Sequence, residues 1–97
     1  MTHTFHPEAE ADLREAVDRY TQSDSPDRAR KFLNEFERVV AMVTTNPEAG
    51  PRVDGERRMY HLTGYPYTVI YKPLSVGPRI LVVHHQHRSP KHGNLRR

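Results

Sequence analysis

The sequence predicts an α+β fold in which a helical hairpin packs on one face of a small, mainly antiparallel sheet, in the order β-α-α-β-β-β. Two amphipathic helical patterns fill the first half of the chain, and three strand-like runs fill the second. Two prolines and a glycine at residues 46–51 separate the two halves. With 97 residues and 35% hydrophobic content, residues 1–97 are expected to form a single domain with a small core.

The two helices are predicted from apolar spacing and from their start signals. Residues 2–5 allow only a brief strand at a sheet edge, after which Pro7 suits the first turn of a helix that ends near Gln22. Ser25 is a suitable N-cap for a second helix over residues 26–45. Because the connection is short, we expect the helices to pack antiparallel as a hairpin.

The three later strands are predicted at residues 57–62, 67–72 and 79–86. The turns between them are short, which favours an antiparallel meander. The last strand is apolar on both faces and should therefore be central. The brief N-terminal strand can pair with it or with an edge.

Charge divides the chain into unlike halves. Residues 1–50 carry six basic and ten acidic side chains, a net −4, whereas residues 51–97 carry nine basic and two acidic ones, a net +7. No carboxylate side chain occurs from Arg57 to the end. Such a basic half suits a polyanion such as RNA or DNA, although a solvated face is equally consistent with charge alone. The helix carboxylates are interpreted as surface residues: Glu10, Asp12, Glu15, Asp18 and Glu35.

Several classes of function are excluded by what the sequence lacks. Without cysteine there are no disulfides, thiolate zinc sites or thiol nucleophiles. Serine elbows, phosphate-binding glycine loops and the HExxH zinc motif are also missing. No apolar run resembles a secretory signal or approaches a membrane span, so we expect a cytoplasmic location and no membrane partner.

The histidines and arginines of the basic half are the candidates for chemistry. His85 and His87 could chelate zinc with His61 or His92, but no nearby carboxylate would orient them, so we predict no metal and no cofactor. Arg58 and Arg88 would form an anion clamp with a histidine between them if they converge on one open face of the sheet. Cleavage of RNA needs such a set, because a base, an acid and cations must surround the phosphate. The alternative is that both arginines bind an acidic segment of a partner or contact solvent.

Four stretches of the sequence resemble motifs of the RelE/ParE family of toxins from bacterial type II toxin–antitoxin systems, and they occur in the family's order. The resemblance is strongest to the ParE-like, plasmid-stabilisation branch. The four stretches cover nearly the whole chain: FHPEAEADL at residues 5–13, Asn46-Pro47 followed by Gly50, the arginine strand and Tyr65-Pro66-Tyr67 hairpin at 58–71, and VVHHQHRSP at 82–90. The resemblance implies the fold given above and a cognate antitoxin that is acidic where it wraps the toxin, which suits the +7 half.

The resemblance also implies site residues and two possible targets. Arg58, His85 and Arg88 fall on positions that are frequently functional in the family. His92 stands where many members carry an aromatic residue, and Gly93 replaces the tryptophan that follows. The chain could be a metal-independent endoribonuclease that cuts mRNA on the ribosome, with His85 or His92 as base or acid. Alternatively, it could inhibit DNA gyrase without catalysis. A non-toxic nucleic-acid-binding module is a third hypothesis.

Overall fold

The computed structural model describes residues 2–23, 25–89 and 91–97, and it confirms the predicted α+β fold. The elements are β1 (Thr4–Phe5), α1 (Pro7–Ser23), α2 (Pro26–Thr45), β2 (Arg52–Asp54), β3 (Arg57–His61), β4 (Tyr67–Lys72) and β5 (Arg79–His85). The three-residue strand β2 was not predicted. None of the helices in the described part of the chain is both long and apolar enough to cross a membrane.

Local signals explain where the helices begin. The Ser25 hydroxyl accepts a hydrogen bond of 3.2 Å from the backbone N–H of Arg28, and Pro26 occupies the first helical position, as predicted. Glu8 and Glu10 lie in the first turn of α1, where the helix dipole favours negative charge. The helices pack against each other as the expected hairpin.

The five strands form one sheet in the order β1-β5-β4-β3-β2. β1 runs parallel to β5, while the other neighbours are antiparallel, as the predicted meander requires. β5 lies between β1 and β4, so the prediction that the last strand is central was correct. β1 pairs only with Arg79 and Ile80, and the remainder of that edge of β5 has no neighbouring strand in the described sheet.

One face of the sheet packs on the helices. Tyr60, Val69 and Val83 lie opposite one another in the register of β3, β4 and β5, and they share this face with Tyr71 and Ile80. Phe32, Phe36 and the other apolar residues of the helical stripes complete the core.

The other face of the sheet is covered by residues 91–97, which we call the C-terminal segment. Gly93 lies so close to Val82 that a Cβ atom there would clash with the valine methyl groups. Arg57 of β3 donates a 2.7 Å hydrogen bond to the carbonyl of Asn94, and the Arg79 guanidinium donates one of 3.0 Å to the carbonyl of Arg97. Leu81 and Val82 are fully buried as a result. The expectation of an open sheet face at this position was therefore wrong.

Candidate functional site

Asp12 of α1 is the centre of the polar network that joins the two halves of the chain. One carboxylate oxygen accepts hydrogen bonds from the backbone N–H of Val83 at 3.1 Å and from Arg96 Nη1 at 2.6 Å. The other lies 3.2 Å from His92 Nε2 and 3.9 Å from Arg88 Nη1. The side chain of Asp12 is only 6% exposed. A buried carboxylate requires such partners, since an unpaired charge in the interior is very costly.

This network forms where β1 is too short to cover the edge of β5. Beyond Ile80, β5 has an edge that no strand of the described sheet covers, which leaves backbone donors and acceptors to be satisfied. Asp12 accepts the N–H of Val83, and Arg96 donates to the carbonyl of Leu81 at 3.1 Å. A carboxylate and a guanidinium thus take the place of a neighbouring strand.

His92 and His84 extend this network onto the face that the C-terminal segment covers. Their Nδ1 atoms are 3.3 Å apart, and His92 Nε2 lies 3.1 Å from Arg96 Nη2. Burial lowers the pKa of His84, and charge repulsion from His92 lowers it further. Burial also lowers the pKa of His92, against the attraction of Asp12, while Arg88 and Arg96 act in the same direction as burial. The surroundings of both imidazoles therefore favour the neutral form.

His85 and Arg88 line a cleft between α1 and the end of β5, which we call the α1–β5 cleft. Its volume is about 230 Å³, and Glu15, Arg19 and His87 contribute to its walls. Arg88 Nη2 lies 3.5 Å from a carboxylate oxygen of Glu15.

A hydrogen bond to the His85 ring determines which of its two nitrogens carries the proton. Its Nδ1 accepts a 3.1 Å hydrogen bond from the backbone N–H of His87, so the neutral ring carries its proton on Nε2. The ring also packs edge-on against Tyr67 with centroids 4.9 Å apart. Burial lowers the pKa of His85, and the nearby charges of Arg19 and His87 add to the effect. Neutral His85 can therefore present an N–H donor to the cleft but no free acceptor nitrogen.

Arg58 lies at the opposite end of the sheet from the other candidates. It pairs with Tyr71 of β4, whereas His85 pairs with Tyr67, four residues away on the same strand. At roughly 3.3 Å per residue, this separates Arg58 from His85 by about 13 Å along the strands. The Arg58 guanidinium donates to the carbonyl of Gly50 at 2.8 Å and lies 3.7 Å from a carboxylate oxygen of Glu48.

The structure thus brings together three of the four predicted site residues. Arg88 Nη1 is 3.2 Å from His92 Nε2, and His85 lines the same cleft as Arg88, but Arg58 is remote. The expectation that Arg58 and Arg88 clamp one anion was wrong, because they lie at opposite ends of the sheet. Pro90, the last residue of the motif at 82–90, lies outside the described residues. Among the residues that are described, no three His, Cys, Asp or Glu side chains could hold a metal ion.

Sequence reasoning misassigned two acidic residues and overlooked Arg96. Asp12 is buried rather than at the surface, and Glu35 is largely buried, where it accepts a 2.7 Å hydrogen bond from the backbone N–H of Thr63. A signal for Asp12 was present, since residues at positions i, i+3 and i+4 share a helix face and Asp12 falls between Ala9 and Ala16 of the apolar stripe. Arg96 carried no such signal, because no periodic pattern includes it.

Comparison with known proteins identifies the family. A family model described as "ParE toxin of type II toxin-antitoxin system, parDE" matches residues 4–90. Among solved structures, the fold is similar to that of a chain from "Chromosomal ParDE TA system from P. aeruginosa", with a TM-score of 0.74 and 23% identity over 88% of this chain and 95% of that one. No curated protein matches this chain significantly. The extent of the family match shows that the chain belongs to the ParE toxin family of type II toxin–antitoxin systems.

Proposed function

We propose that this ParE-family toxin arrests growth by binding DNA gyrase in the cytoplasm, without catalysis, and that a cognate antitoxin neutralises it. The observation that carries this proposal is the separation of Arg58 from the other three candidate catalytic residues. Arg58 is about 13 Å from His85 along the strands, and its guanidinium is hydrogen-bonded to the carbonyl of Gly50. RNA cleavage needs a base, an acid and a cation around one phosphate, so the separation of a predicted cation from the histidines favours a toxin that acts through its surface.

The protonation of the histidines supports the same conclusion. A general base needs a free acceptor nitrogen within hydrogen-bond reach of the proton that it removes. His85 Nδ1 is already engaged by the N–H of His87, and His92 is enclosed by Asp12, His84 and Arg96. Neither ring is therefore free to act as a base without rearrangement.

Charge supports an acidic segment of the antitoxin as the neutralising partner. Four cations of the basic half, Arg52, Arg88, Lys91 and Arg97, belong to exposed residues. An acidic segment that follows this surface would gain favourable long-range attraction and a fast association rate. We expect the antitoxin to be encoded beside the toxin.

The experiment is expression of the chain and of Arg58→Ala and His85→Gln variants in bacterial cells. We expect growth arrest with DNA-damage signalling in all three, and rescue when the product of the adjacent reading frame is present. Circular dichroism of each purified variant verifies that it folds. Loss of arrest in a folded variant, together with loss of ribosome-dependent mRNA cleavage, would contradict the proposal.

A second candidate function is ribosome-dependent mRNA cleavage at the α1–β5 cleft. The observation that favours it is that the cleft combines two imidazoles, His85 and His87, with two guanidinium groups, Arg19 and Arg88. Arg19 would then take the role that the sequence assigned to Arg58. This candidate predicts that Arg19→Gln abolishes mRNA cleavage while Arg58→Ala does not.

A further inference from the structure

We propose that the contact between His84 and His92 holds the C-terminal segment on the sheet in a proton-dependent way, and that protonation of both rings releases the segment. His84 lies on β5, and His92 belongs to the segment that covers Leu81 and Val82. The Nδ1 atoms of the two rings are 3.3 Å apart. Release would uncover apolar surface on the sheet face opposite the helices.

The contact between the two Nδ1 atoms accommodates only one hydrogen. A hydrogen bond between imidazole nitrogens needs one N–H donor and one lone pair, so one of the two Nδ1 atoms must be unprotonated. When both rings are charged, both Nδ1 atoms carry hydrogen and the two rings repel each other. The pair therefore binds at most one extra proton while the segment is docked.

The groups around His92 make a positive charge on this ring costly. Its Nε2 lies 3.2 Å from Arg88 Nη1 and 3.1 Å from Arg96 Nη2. It also lies 3.2 Å from a carboxylate oxygen of Asp12, which already has a 2.6 Å contact with Arg96. A protonated His92 would thus be a third cation around a single buried carboxylate.

Two further carboxylates of α1 lie at the exposed rim of this network. Glu15 is 3.5 Å from Arg88 Nη2 and Glu8 is 3.7 Å from Arg96 Nε, and their side chains are 53% and 67% exposed. Ion pairs at such exposure are weakened by solvent and contribute little. They therefore do not offset a second positive charge on the histidine pair.

His84 has no acidic neighbour on the strands. In the sheet register it lies opposite Thr68 of β4, which lies opposite His61 of β3, and His85 follows it on β5. None of the residues of β3, β4 and β5 is acidic. Burial lowers the pKa of His84, and the positive groups around it add to the effect. The geometry and the surroundings therefore both oppose double protonation in the docked state.

The C-terminal segment is held mainly by polar contacts, so its position is sensitive to the loss of one of them. Its one large apolar side chain, that of Leu95, is 90% exposed. The side chains of His92 and Arg96 are only 11% and 10% exposed, and both contact the same carboxylate. Repulsion that displaces His92 would also move the adjoining Gly93, which lies against Val82.

Because the chain has no cysteine, a single introduced thiol can measure how often Val82 is uncovered. In Val82→Cys, the thiol reacts with dithiodipyridine only while the segment is off the sheet. Its rate is divided by that of Val76→Cys, at a residue that is 66% exposed, which corrects for the effect of pH on thiol reactivity. Circular dichroism verifies that each variant folds.

We expect the relative rate of Val82→Cys to rise by about thirtyfold between pH 7.5 and pH 5.0. The released state binds at least one proton more than the docked state. The ratio of released to docked segment therefore changes by about tenfold per pH unit below the ordinary histidine pKa of about 6.5.

Two histidine variants, made in the Val82→Cys chain, separate this contact from a general effect of pH. In His84→Asn a neutral amide replaces one ring, so protonation of His92 meets no second cation and the rise should be less than about fivefold. His61→Asn is the matched control, because His61 contacts Thr68 instead, and the rise should stay at about thirtyfold.

The proposal is wrong if the relative rate of Val82→Cys does not rise at pH 5.0, or if it rises equally in His84→Asn. Val69→Cys, on the helix side of the sheet, reacts only when the core opens, and its rate should stay below that of Val82→Cys at both pH values. Equal rates would show that the whole domain unfolds, which would also contradict release of the segment alone. The inference goes beyond the proposed function and does not rest on it, since its test measures no toxicity.

Discussion

Asp12 is the residue on which the contact between the two halves of the chain depends. Its carboxylate joins α1 to β5 and to the C-terminal segment through Val83, Arg96 and His92. Replacing one member of a buried ion pair leaves its partner's charge uncompensated, which costs far more than the loss of a surface pair.

Asp12→Asn tests this role with little change in shape. The amide can still accept the Val83 N–H, but it leaves Arg96 without a buried counter-ion. We expect the free energy of unfolding to fall by about 3 kcal/mol or more, measured by urea denaturation. Asp18→Asn, at an exposed position of the same helix, is the control and should change it by less than about 0.5 kcal/mol. Equal effects in the two variants would contradict the role of Asp12.

The histidines predict how stability depends on pH. The folded state lowers the pKa of His84, His85 and His92, mainly through burial. Below the ordinary histidine pKa of about 6.5, the unfolded chain therefore binds protons that the folded chain does not. The contribution of these histidines to the free energy of unfolding is therefore complete above about pH 6.5, and it decreases as the pH falls toward their lowered pKa values in the folded state.

We therefore expect a lower urea midpoint at pH 5.5 than at pH 7.5. Glu35 and Asp27 also have lowered pKa values, but carboxylates with lowered pKa values remain ionised at pH 5.5 and do not affect this comparison. In His84→Asn the decrease between the two pH values should be smaller. A midpoint that is equal at both pH values, or higher at pH 5.5, would show that the folded state does not hold these histidines neutral.

At the scale of elements, the C-terminal segment has the largest effect on which surfaces are accessible. It covers Leu81 and Val82 and holds Arg57 through Asn94. Gly93 permits this contact in two ways, because its φ of 73° favours glycine and because its lack of a Cβ allows close approach to Val82.

Gly93→Ala should therefore loosen the C-terminal segment. We expect faster trypsin cleavage after Lys91 and Arg96, since the alanine methyl would clash with Val82. Gly64→Ala is the matched control, because Gly64 has a similar φ of 83° but no atom within 4 Å of its Cβ position. Similar cleavage rates in both variants would indicate that backbone conformation alone explains the effect, without the contact to Val82.

The sequence was sufficient to predict the helices and the meander, because caps, spacing and turns are local signals. It was not sufficient for β2, since Arg52–Asp54 has three exposed residues and no alternation. The C-terminal segment was also missed, because it reaches Asp12 and Arg57 through side-chain contacts between parts of the chain that are far apart in sequence. Of the predicted site residues, Arg88, His85 and His92 lie near one another, whereas the strand registers place Arg58 at the far end of the sheet.

At the scale of the whole molecule, the opposite charges of the two halves meet along α1. Glu8, Asp12 and Glu15 of the acidic half pair with Arg88 and Arg96 of the basic half. The basic side chains that remain exposed are available to a partner, which agrees with a toxin that acts by binding.

Supercoiling by purified DNA gyrase is the most direct test of a toxin that acts without catalysis. We expect the chain and its Arg58→Ala and His85→Gln variants to inhibit supercoiling to within about twofold of one another, which corresponds to less than about 0.5 kcal/mol. We also expect mRNA in a translating extract to stay intact with all three. Normal supercoiling in the presence of the chain, with cleavage of ribosome-bound mRNA that the variants abolish, would contradict the account.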